Sequence, residues 1–339
     1  MIRSKNWELE VAAQAALEKD LETFDKSQII LLAGSFHPAL AQAVFQLLGL
    51  DELFPIKRFP DNEIGIVNIP NLRGRDVVVM NPAGPPLQDT SFMEMLVMLD
   101  AVQRASAGSI TAVMPYMPYQ RQDRKDKPRA PITSALLSNM LVLAGADRLM
   151  TIDNHAPQAQ GYINRPWDEL YASYVIMPYL RSLKLNNLVV LSPDAGGVKK
   201  SIFYARTLQA GGTAYMNKVR DVKNGDIDAS TITGKVDGMD VLIVDDMLVG
   251  GGTLFRAADL ANAQGANRVV AAVTHGLFIG DVVASLDKSS IDTLIVTNTL
   301  PIAEEIESHP KVVVLSVARL LSQAIIRTQT GDSLSELIL

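Results

Sequence analysis

The 339-residue sequence contains no cysteine. This absence excludes a disulfide framework, a thiol nucleophile, cysteine-ligated zinc and iron–sulfur clusters, and it fits a reducing compartment such as the cytoplasm. Basic residues are also few, with 31 Lys and Arg against 37 Asp and Glu and a formal net charge of −6. Because nucleic-acid binders usually carry a basic surplus, we expect no nucleic-acid partner. No apolar run approaches the roughly 18 residues of a membrane span, so we expect no membrane association.

The hydrophobic pattern predicts an alternation of strands and helices. Short β-branched runs alternate with longer helical patterns from Ile29 onward, which is typical of βαβ units and mainly parallel sheets. The predicted strands cover residues 29–33, 76–80, 110–114, 149–152, 188–191, 213–216, 241–244, 269–273, 294–296 and 312–315. The main helical patterns cover residues 91–104, 133–144, 167–183, 197–208 and 253–264.

Ten strands are too many for one compact doubly wound sheet. We therefore predict two α/β domains, at residues 28–170 and 171–339, with a seam near the segment GYINRPW. Ahead of them, residues 1–27 mix charges throughout and lack the apolar run of a signal peptide. This extension is predicted to be an amphipathic helix, from the near-helical spacing of Trp7, Val11, Ala15 and Leu21.

The clearest candidate binding site follows the predicted strand 241–244. Asp245 and Asp246 come directly after this strand, and a loop then opens a helix with Gly250, Gly251, Gly252 and Thr253. Backbone N–H groups of such a loop form a cradle for phosphate, and paired carboxylates suit sugar hydroxyls or a metal. The alternative is a plain strand end with Thr253 as a helix cap.

Acids also follow two other predicted strands. Asp194 lies in a loop with two glycines after strand 188–191, where it could help to hold a pyrophosphate or a hydrated Mg²⁺ unless the segment is a plain turn. Asp153 and His155 follow strand 149–152. On extended backbone their side chains would share a face and could ligate one cation, although such a histidine is more often structural.

Basic residues concentrate in two places of this acidic chain. Segment 119–129 includes Arg121 and four other Lys or Arg residues, and Lys218 and Arg220 follow strand 213–216. Cations near candidate phosphate loops suggest a polyphosphate ligand. A solvated charged loop is the alternative for segment 119–129.

With these motifs in place, the sequence resembles the ribose-phosphate pyrophosphokinase family, the phosphoribosyl pyrophosphate (PRPP) synthetases, from about residue 29 to 321. The matching segments occur in family order: RFPDNEI (58–64), MPYQRQDRKDKPRAPIT (117–133), DNHAPQAQGYI (153–163), SPDAGGV (192–198), VDDM and GGT (within 244–253) and THGLF (274–278). The resemblance implies two domains similar to type I phosphoribosyltransferases, and a homo-oligomer of the dimer or hexamer-of-dimers type.

The resemblance also implies a reaction and the residues that perform it. The family transfers the β,γ-diphosphoryl group of ATP to the anomeric hydroxyl of ribose 5-phosphate, releases AMP and requires Mg²⁺. By motif match, the residues that bind ATP would be Phe59, Asp61, Glu63, Arg121, Gln122 and Asp123. Mg²⁺ would be held by His155 and Asp194, together with Asp153. Lys218 and Arg220 match the catalytic cations, Asp245 and Asp246 would bind the ribose hydroxyls, and the glycine loop with Thr253 would receive the 5-phosphate.

Departures from the family pattern bear on the substrate. Val249 and Gly250 replace an acid and a threonine that are usual in the phosphate loop, and Asn154 stands where an aliphatic residue is usual. Three functions therefore stay open: PRPP synthesis, the same transfer to a 5-substituted ribose phosphate such as ADP-ribose in NAD salvage, and a non-catalytic regulatory role beside an active synthetase. The presence of Lys218 and Arg220 speaks against the third.

Overall fold

The predicted strands form two large sheets in a computed structural model of the chain, which describes residues 15–50, 54–61, 63–66, 69–220 and 227–337. The chain divides into two units. The first comprises Met1–Tyr174, Thr299–Pro301 and Ser316–Leu339, and the second comprises Val175–Asn298 and Ile302–Leu315. The predicted α/β class with mainly parallel sheets is confirmed, since every predicted strand coincides with or overlaps a strand of the structure.

The first unit contains a parallel six-stranded sheet and a small antiparallel hairpin. Its strands are β1 Ile29–Ala33, β2 Phe54–Pro55, β3 Lys57–Arg58, β4 Ile64–Gly65, β5 Asp76–Met80, β6 Ser109–Met114, β7 Arg148–Ile152 and β8 Trp167–Leu170. The order in the large sheet is β2-β1-β5-β6-β7-β8, and β3 pairs with β4 in the hairpin. The carboxyl ends of the parallel strands therefore share one edge.

Helices cover the first sheet with apolar faces. They are α1 (described over residues 15–21), α2 Pro38–Leu47, α3 Gln88–Arg104 and α4 Thr133–Leu143, with a 3₁₀ helix at Pro157–Tyr162. In α3, the residues Met95, Met98, Leu99 and Val102 are fully buried at a spacing that places them on one helix face. Burial of this stripe against the sheet is what holds α3 in place.

The second unit contains a seven-stranded sheet. Its strands are β9 Val189–Ser192, β10 Gly212–Arg220, β11 Ile227–Thr233, β12 Asp240–Leu248, β13 Arg268–Gly276, β14 Thr293–Thr297 and β15 Val312–Leu315. The order is β11-β10-β9-β12-β13-β14-β15, and only the β10–β11 pair is antiparallel. The accompanying helices are α5 Ser173–Ser182, α6 Val198–Thr207, α7 Gly252–Ala263, α8 Val282–Lys288 and α9 Glu304–Glu307.

The helix predicted at 167–183 is wrong in its first part. Residues Trp167–Leu170 form the edge strand β8, and the helix begins only at Ser173. Trp167 and Leu170 are both buried, and their spacing of three residues imitates one face of a helix. This segment forms a strand because it pairs with β7, where Leu149 aligns with Trp167. In addition, Trp167 Nε1 donates a hydrogen bond to Thr151 Oγ1 at 2.8 Å.

The end of the chain lies in the first unit and not in the second domain as predicted. Helix α10 Ala318–Thr330 belongs to the first unit, followed by a 3₁₀ turn at Leu334–Leu337. Its apolar residues Leu320, Leu321, Ala324 and Ile325 are buried there. Arg327 of α10 also pairs with Asp20 at 3.1 Å. A sequence pattern shows that such a helix has an apolar face but not which sheet receives it.

The predicted N-terminal helix is present over residues 15–21, where Leu17 is buried and Ala15 is exposed. Trp7 and Val11 lie outside the described residues. Across the described chain, no helix is both long enough and apolar enough to cross a membrane.

Candidate active site

Acidic residues collect at the carboxyl edge of the second sheet. β9 pairs with β12 only as far as Leu191 and Ile243, whereas β12 continues to Leu248 through its pairing with β13. Asp245 and Asp246 therefore lie inside a long strand. The sequence pattern, which places them directly after the strand, is wrong on this point. They extend past the end of β9, next to the loop that carries Asp194.

Three carboxylates interact at this edge. The N–H of Asp246 donates to Asp245 Oδ1 at 2.9 Å, and the N–H of Gly197 donates to Asp194 Oδ1 at 3.0 Å, which closes the Asp194 loop. Burial, followed by the negative charges of Asp246 and Asp194, raises the pKa of Asp245 to about 8. A cation bound among these groups would favour the ionised form of Asp245, so the cluster is suited to cationic or hydroxyl-bearing ligands.

The glycine loop joins β12 to α7. Gly251 has a φ of 76°, and a Cβ at this position would lie 2.1 Å from the Phe255 ring, so only glycine fits there. Gly251 is the N-cap of α7, and Thr253 therefore lies inside the helix and is not its cap. The first amides of a helix lack intrahelical acceptors and lie at the positive end of its dipole. This loop is thus suited to an anion such as phosphate.

Lys218 and Arg220 lie at the end of β10. Their backbone pairs with β11, where Lys218 aligns with Ser230 and Arg220 with Ile227. β10 pairs with β9 no further than Tyr215, so both basic residues lie beyond the carboxyl end of β9. β10 is longer than its predicted range of 213–216 because the antiparallel partner β11, which the sequence pattern does not reveal, continues the ladder.

In the first unit, Phe59, Asp61 and Glu63 come together around the tip of the β3–β4 hairpin. The Phe59 N–H donates to the Glu63 carbonyl at 2.9 Å, and the Glu63 N–H donates to Asp61 Oδ1 at 3.1 Å. The Phe59 side chain is 50% exposed, which is unusual for a large apolar residue. An accessible ring flanked by acceptors is suited to stacking on a nucleobase and hydrogen-bonding its amino group.

Glu94 anchors this hairpin, and it is absent from the residues predicted from sequence. Its fully buried carboxylate receives hydrogen bonds from Arg58 Nη2 at 2.9 Å and Ser35 Oγ at 2.8 Å. Arg58 belongs to β3, next to Phe59. One sequence signal could have identified Glu94. It is an acid next to Met95, within the apolar stripe of a helix, and a buried acid needs a hydrogen-bonding or charged partner.

Arg121, Gln122 and Asp123 lie in the loop after β6, at the carboxyl edge of the first sheet. Arg121 is exposed. Gln122 accepts a hydrogen bond from Thr133 Oγ1, and the Asp123 carboxylate accepts one from the Gln158 amide. The structure therefore gives Gln122 and Asp123 roles in holding the loop, and leaves the Arg121 side chain facing solvent.

Asp153 and His155 follow β7, the strand next to β6. The prediction that they share a face of extended backbone is wrong, because Asp153 has a φ of 43° and the chain turns there. Asp153 is buried, His155 is exposed, and Asn154 between them is buried. Asn154 contacts Gln120, a buried residue that no local sequence signal distinguishes from its charged neighbours.

The carboxylates of the second unit are ligands of the type that a hard cation takes. Within the described ranges, no set of three or more His, Asp or Glu side chains has the arrangement of a metal site. Asp153 and His155 belong to the first unit and Asp194 to the second. Carboxylate oxygens, as at Asp194, Asp245 and Asp246, are the ligands that Mg²⁺ prefers, and it commonly keeps several waters.

Two family models match the chain. One is described as the N-terminal domain of ribose phosphate pyrophosphokinase and matches residues 29–145. The other is described as the phosphoribosyl synthetase-associated domain and matches residues 214–339. Together they cover more than half of the chain and include all the candidate residues except Asp153, His155 and Asp194.

Similar proteins cover nearly the same length. Ribose-phosphate pyrophosphokinase A of Dictyostelium discoideum is 40% identical over 311 residues, which cover 91% of this chain and 98% of the relative. The ribose-phosphate pyrophosphokinase of Synechocystis sp. is 39% identical over 315 residues, which cover 92% of this chain and 93% of the relative. The crystal structure of phosphoribosylpyrophosphate synthetase from Mycobacterium smegmatis aligns with a TM-score of 0.83 and 34% identity, over 90% of this chain and 99% of that one.

Proposed function

The chain belongs to the ribose-phosphate pyrophosphokinase family, and from this premise we propose that it transfers the diphosphoryl group of ATP to the anomeric hydroxyl of ribose 5-phosphate, giving PRPP and AMP. The observation that carries the proposal is the edge of the second sheet, where Asp194, Asp245 and Asp246 adjoin a glycine loop at a helix N-terminus. This arrangement combines acceptors for sugar hydroxyls with donors for a phosphate.

In this proposal, the second unit holds the sugar. Asp245 and Asp246 accept hydrogen bonds from the ribose hydroxyls, and the amides of the Gly250–Thr253 loop hold the 5-phosphate. The raised pKa of Asp245 supports a ligand here, because hydroxyl donors or a cation would relieve the crowding of negative charge.

ATP would be held mainly by the first unit. Phe59 stacks on the adenine, Asp61 and Glu63 accept from its amino group, and Arg121 binds the phosphates with Gln122 and Asp123 nearby. The anomeric oxygen attacks the β-phosphorus, the bond from that phosphorus to the α,β-bridging oxygen breaks, AMP leaves with that oxygen, and the hydroxyl gives up its proton. Lys218, Arg220 and Arg121 neutralise the charge that develops on the transferring and leaving groups.

Mg²⁺ is the proposed cofactor. The residues proposed to hold it are Asp153, His155 and Asp194. When bound, Mg²⁺ neutralises the oxygens of the diphosphoryl group. Homo-oligomer formation and a cytoplasmic location stay predictions from the resemblance and the composition.

A second candidate substrate is a ribose whose 5-phosphate is already esterified, such as ADP-ribose. The supporting observation is the open surface of the glycine loop. A Cβ added at Gly252 would meet nothing within 4 Å, and one added at Gly250 would meet only the Ile279 carbonyl, at 3.5 Å. The loop is therefore open at these two glycines, which supports a substrate that carries a substituent on its 5-phosphate.

One experiment separates these functions. The purified protein is incubated with Mg²⁺-ATP and either ribose 5-phosphate or ADP-ribose, and AMP and the diphosphorylated product are measured by mass spectrometry. Product from ribose 5-phosphate supports PRPP synthesis, and product from ADP-ribose alone would assign the second substrate. If neither sugar gives a product, the non-catalytic regulatory role would be the remaining candidate.

The loop itself is tested by Val249→Asp combined with Gly250→Thr. Restoring the acid and the hydroxyl should raise the use of ribose 5-phosphate relative to ADP-ribose by about tenfold, or ~1.4 kcal/mol. An unchanged ratio would remove the loop from the specificity argument.

A further inference from the structure

Two buried amide side chains join the loops that follow β6 and β7. Gln120, in the β6 loop, is 2% exposed, and Asn154, in the β7 loop, is 8% exposed. Gln120 Nε2 donates to Asn154 Oδ1 at 3.0 Å, and the Ala156 N–H donates to Gln120 Oε1 at 3.3 Å. Gln120 directly precedes Arg121, and Asn154 separates Asp153 from His155. The contact therefore links the proposed ATP-phosphate residue to the proposed metal ligands of the same unit.

The direction of these hydrogen bonds follows from the backbone. Because the Ala156 N–H can only donate, the oxygen of Gln120 must face it, and the Gln120 nitrogen then faces Asn154. The Asn154 oxygen must accept, so its nitrogen is left as the remaining donor. Asn154 Nδ2 is buried and has no hydrogen-bond partner in the described chain.

Apolar side chains at both positions 120 and 154 would be the simpler choice for stability. A buried donor without an acceptor costs free energy, and an apolar pair would avoid that cost. Only the oxygen of the Asn154 side chain has a hydrogen-bond partner in the described chain, because it accepts from the Gln120 amide. This asymmetry points to the link between the two loops as the reason for the residue.

Other contacts hold each loop in place around this link. The Asn154 N–H donates to Glu169 Oε1 at 3.0 Å, and Gln160 Nε2 donates to Glu169 Oε2 at 2.7 Å. The amide of Gln158 also contacts the Asp123 carboxylate. Glu169 thus fixes the backbone between Asp153 and His155, while Gln120 transmits that position to the β6 loop.

We propose that Gln120 and Asn154 form a positioning pair that sets Arg121 against the Asp153–His155 turn, an inference that rests on the proposed function. Neither side chain touches the reacting atoms. Their effect should fall on ATP, because both loops belong to the proposed ATP side, and not on the ribose phosphate, which is assigned to the second unit. Loss of the pair should therefore raise the KM for Mg²⁺-ATP and leave the KM for the sugar unchanged.

A double-mutant cycle tests the pair. Gln120→Met and Asn154→Leu each replace one partner with an apolar side chain of similar shape. Each should raise the KM for Mg²⁺-ATP by about tenfold with less than about twofold change in the KM for the sugar. The double variant should show about the same tenfold increase, since either change already breaks the shared bond. A hundredfold increase in the double variant, or an unchanged KM for ATP in the single ones, would overturn the proposal.

A matched control is Gln323→Met in α10. Gln323 is also a fully buried amide of the first unit, and it contacts Tyr174 and Asp20, away from any residue assigned to ATP. It should lower the Tm and leave both KM values unchanged. An equal rise in the KM for ATP in this control would mean that the effect is one of general stability, which would contradict a positioning role.

Two further readouts keep the outcomes distinct. Gln120→Asn keeps the amide but shortens its reach by one methylene, so it should fold even where Gln120→Met does not. It should show the same rise in the KM for ATP, and an unchanged KM would again overturn the pair. Wild-type protein that turns over neither sugar would defeat the proposed function itself, whereas wild-type turnover with additive variants defeats only the pair.

Discussion

The carboxylates Glu94 of the first unit and Asp245 of the second have opposite electrostatic surroundings. In the first, Glu94 receives hydrogen bonds from Arg58 and Ser35 and is balanced by the charge of Arg58. In the second, burial and then the negative charges of Asp246 and Asp194 raise the pKa of Asp245 to about 8. A satisfied acid stabilises its surroundings, whereas crowded acids lower stability until a ligand relieves them.

The difference indicates a division of labour. The carboxyl edge of the first sheet is preorganised by amide and guanidinium donors, which suits a surface that holds a large ligand in one position. The edge of the second sheet retains electrostatic repulsion, which suits a site where charge changes during a reaction.

The largest expected effect is on turnover, from Lys218→Ala. If charge on the transferring group is neutralised in the second unit, loss of this cation should lower kcat by a factor of 100 or more, about 2.7 kcal/mol, with the fold retained in circular dichroism. Lys235→Ala, an exposed lysine after β11, should leave kcat unchanged. Equal rates for the two variants would show that the second unit does not carry the chemistry in this way.

The next effect is on the first unit, from Glu94→Gln. Removing the charge weakens the hydrogen bonds from Arg58 and Ser35 in a fully buried position, so the free energy of unfolding should fall by about 2 kcal/mol in urea denaturation. Asp100→Asn on the same helix is the control. Asp100 forms an exposed ion pair with Arg104, so that change should cost less than about 0.5 kcal/mol.

The opposite sign is expected in the second unit, from Asp245→Asn. The change removes a carboxyl group whose ionised form is disfavoured in the native protein. It should therefore raise the free energy of unfolding by about 1 kcal/mol while lowering activity, as is common at functional sites. Asp240→Asn on the same strand is the matched variant, because Asp240 is buried and accepts from the Asn186 N–H at 2.7 Å. It should lower stability. A loss of stability in both variants would remove the contrast between the units.

The same contrast predicts a dependence on pH. Since the pKa of Asp245 is raised from 3.8 to about 8, the native protein holds a proton that the unfolded chain releases above about pH 4. The stabilising contribution of this group is complete below that pH and is lost as the pH rises through about 8. The Tm without metal should therefore fall across this window, and it should fall less in Asp245→Asn.

Magnesium should act in the same window. Because the cation competes with the proton for the carboxylates, millimolar Mg²⁺ should raise the Tm more at about pH 8.5 than at about pH 6 in scanning calorimetry. The difference should shrink in Asp245→Asn. A magnesium response that is independent of pH would separate cation binding from the crowded acids.

Local sequence determined most of the elements and most of the candidate site. Short apolar runs predict β1, β5 and β15 at their observed bounds. The acids and glycines after the predicted strands 188–191 and 241–244 predict which sheet edge carries chemistry. These features depend on residues that are neighbours in the chain. The family resemblance was visible for the same reason, because its motifs are short and contiguous.

Only the tertiary structure decided the rest. β8 is a strand because β7 pairs with it, α10 belongs to the first unit because that unit buries its apolar face, and Asp245 has a raised pKa because the fold buries it next to Asp246 and Asp194. Gln120 and Asn154 meet although 34 positions separate them in sequence. Burial and pairing are properties of contacts between distant residues, and no local pattern of polarity or spacing contains them.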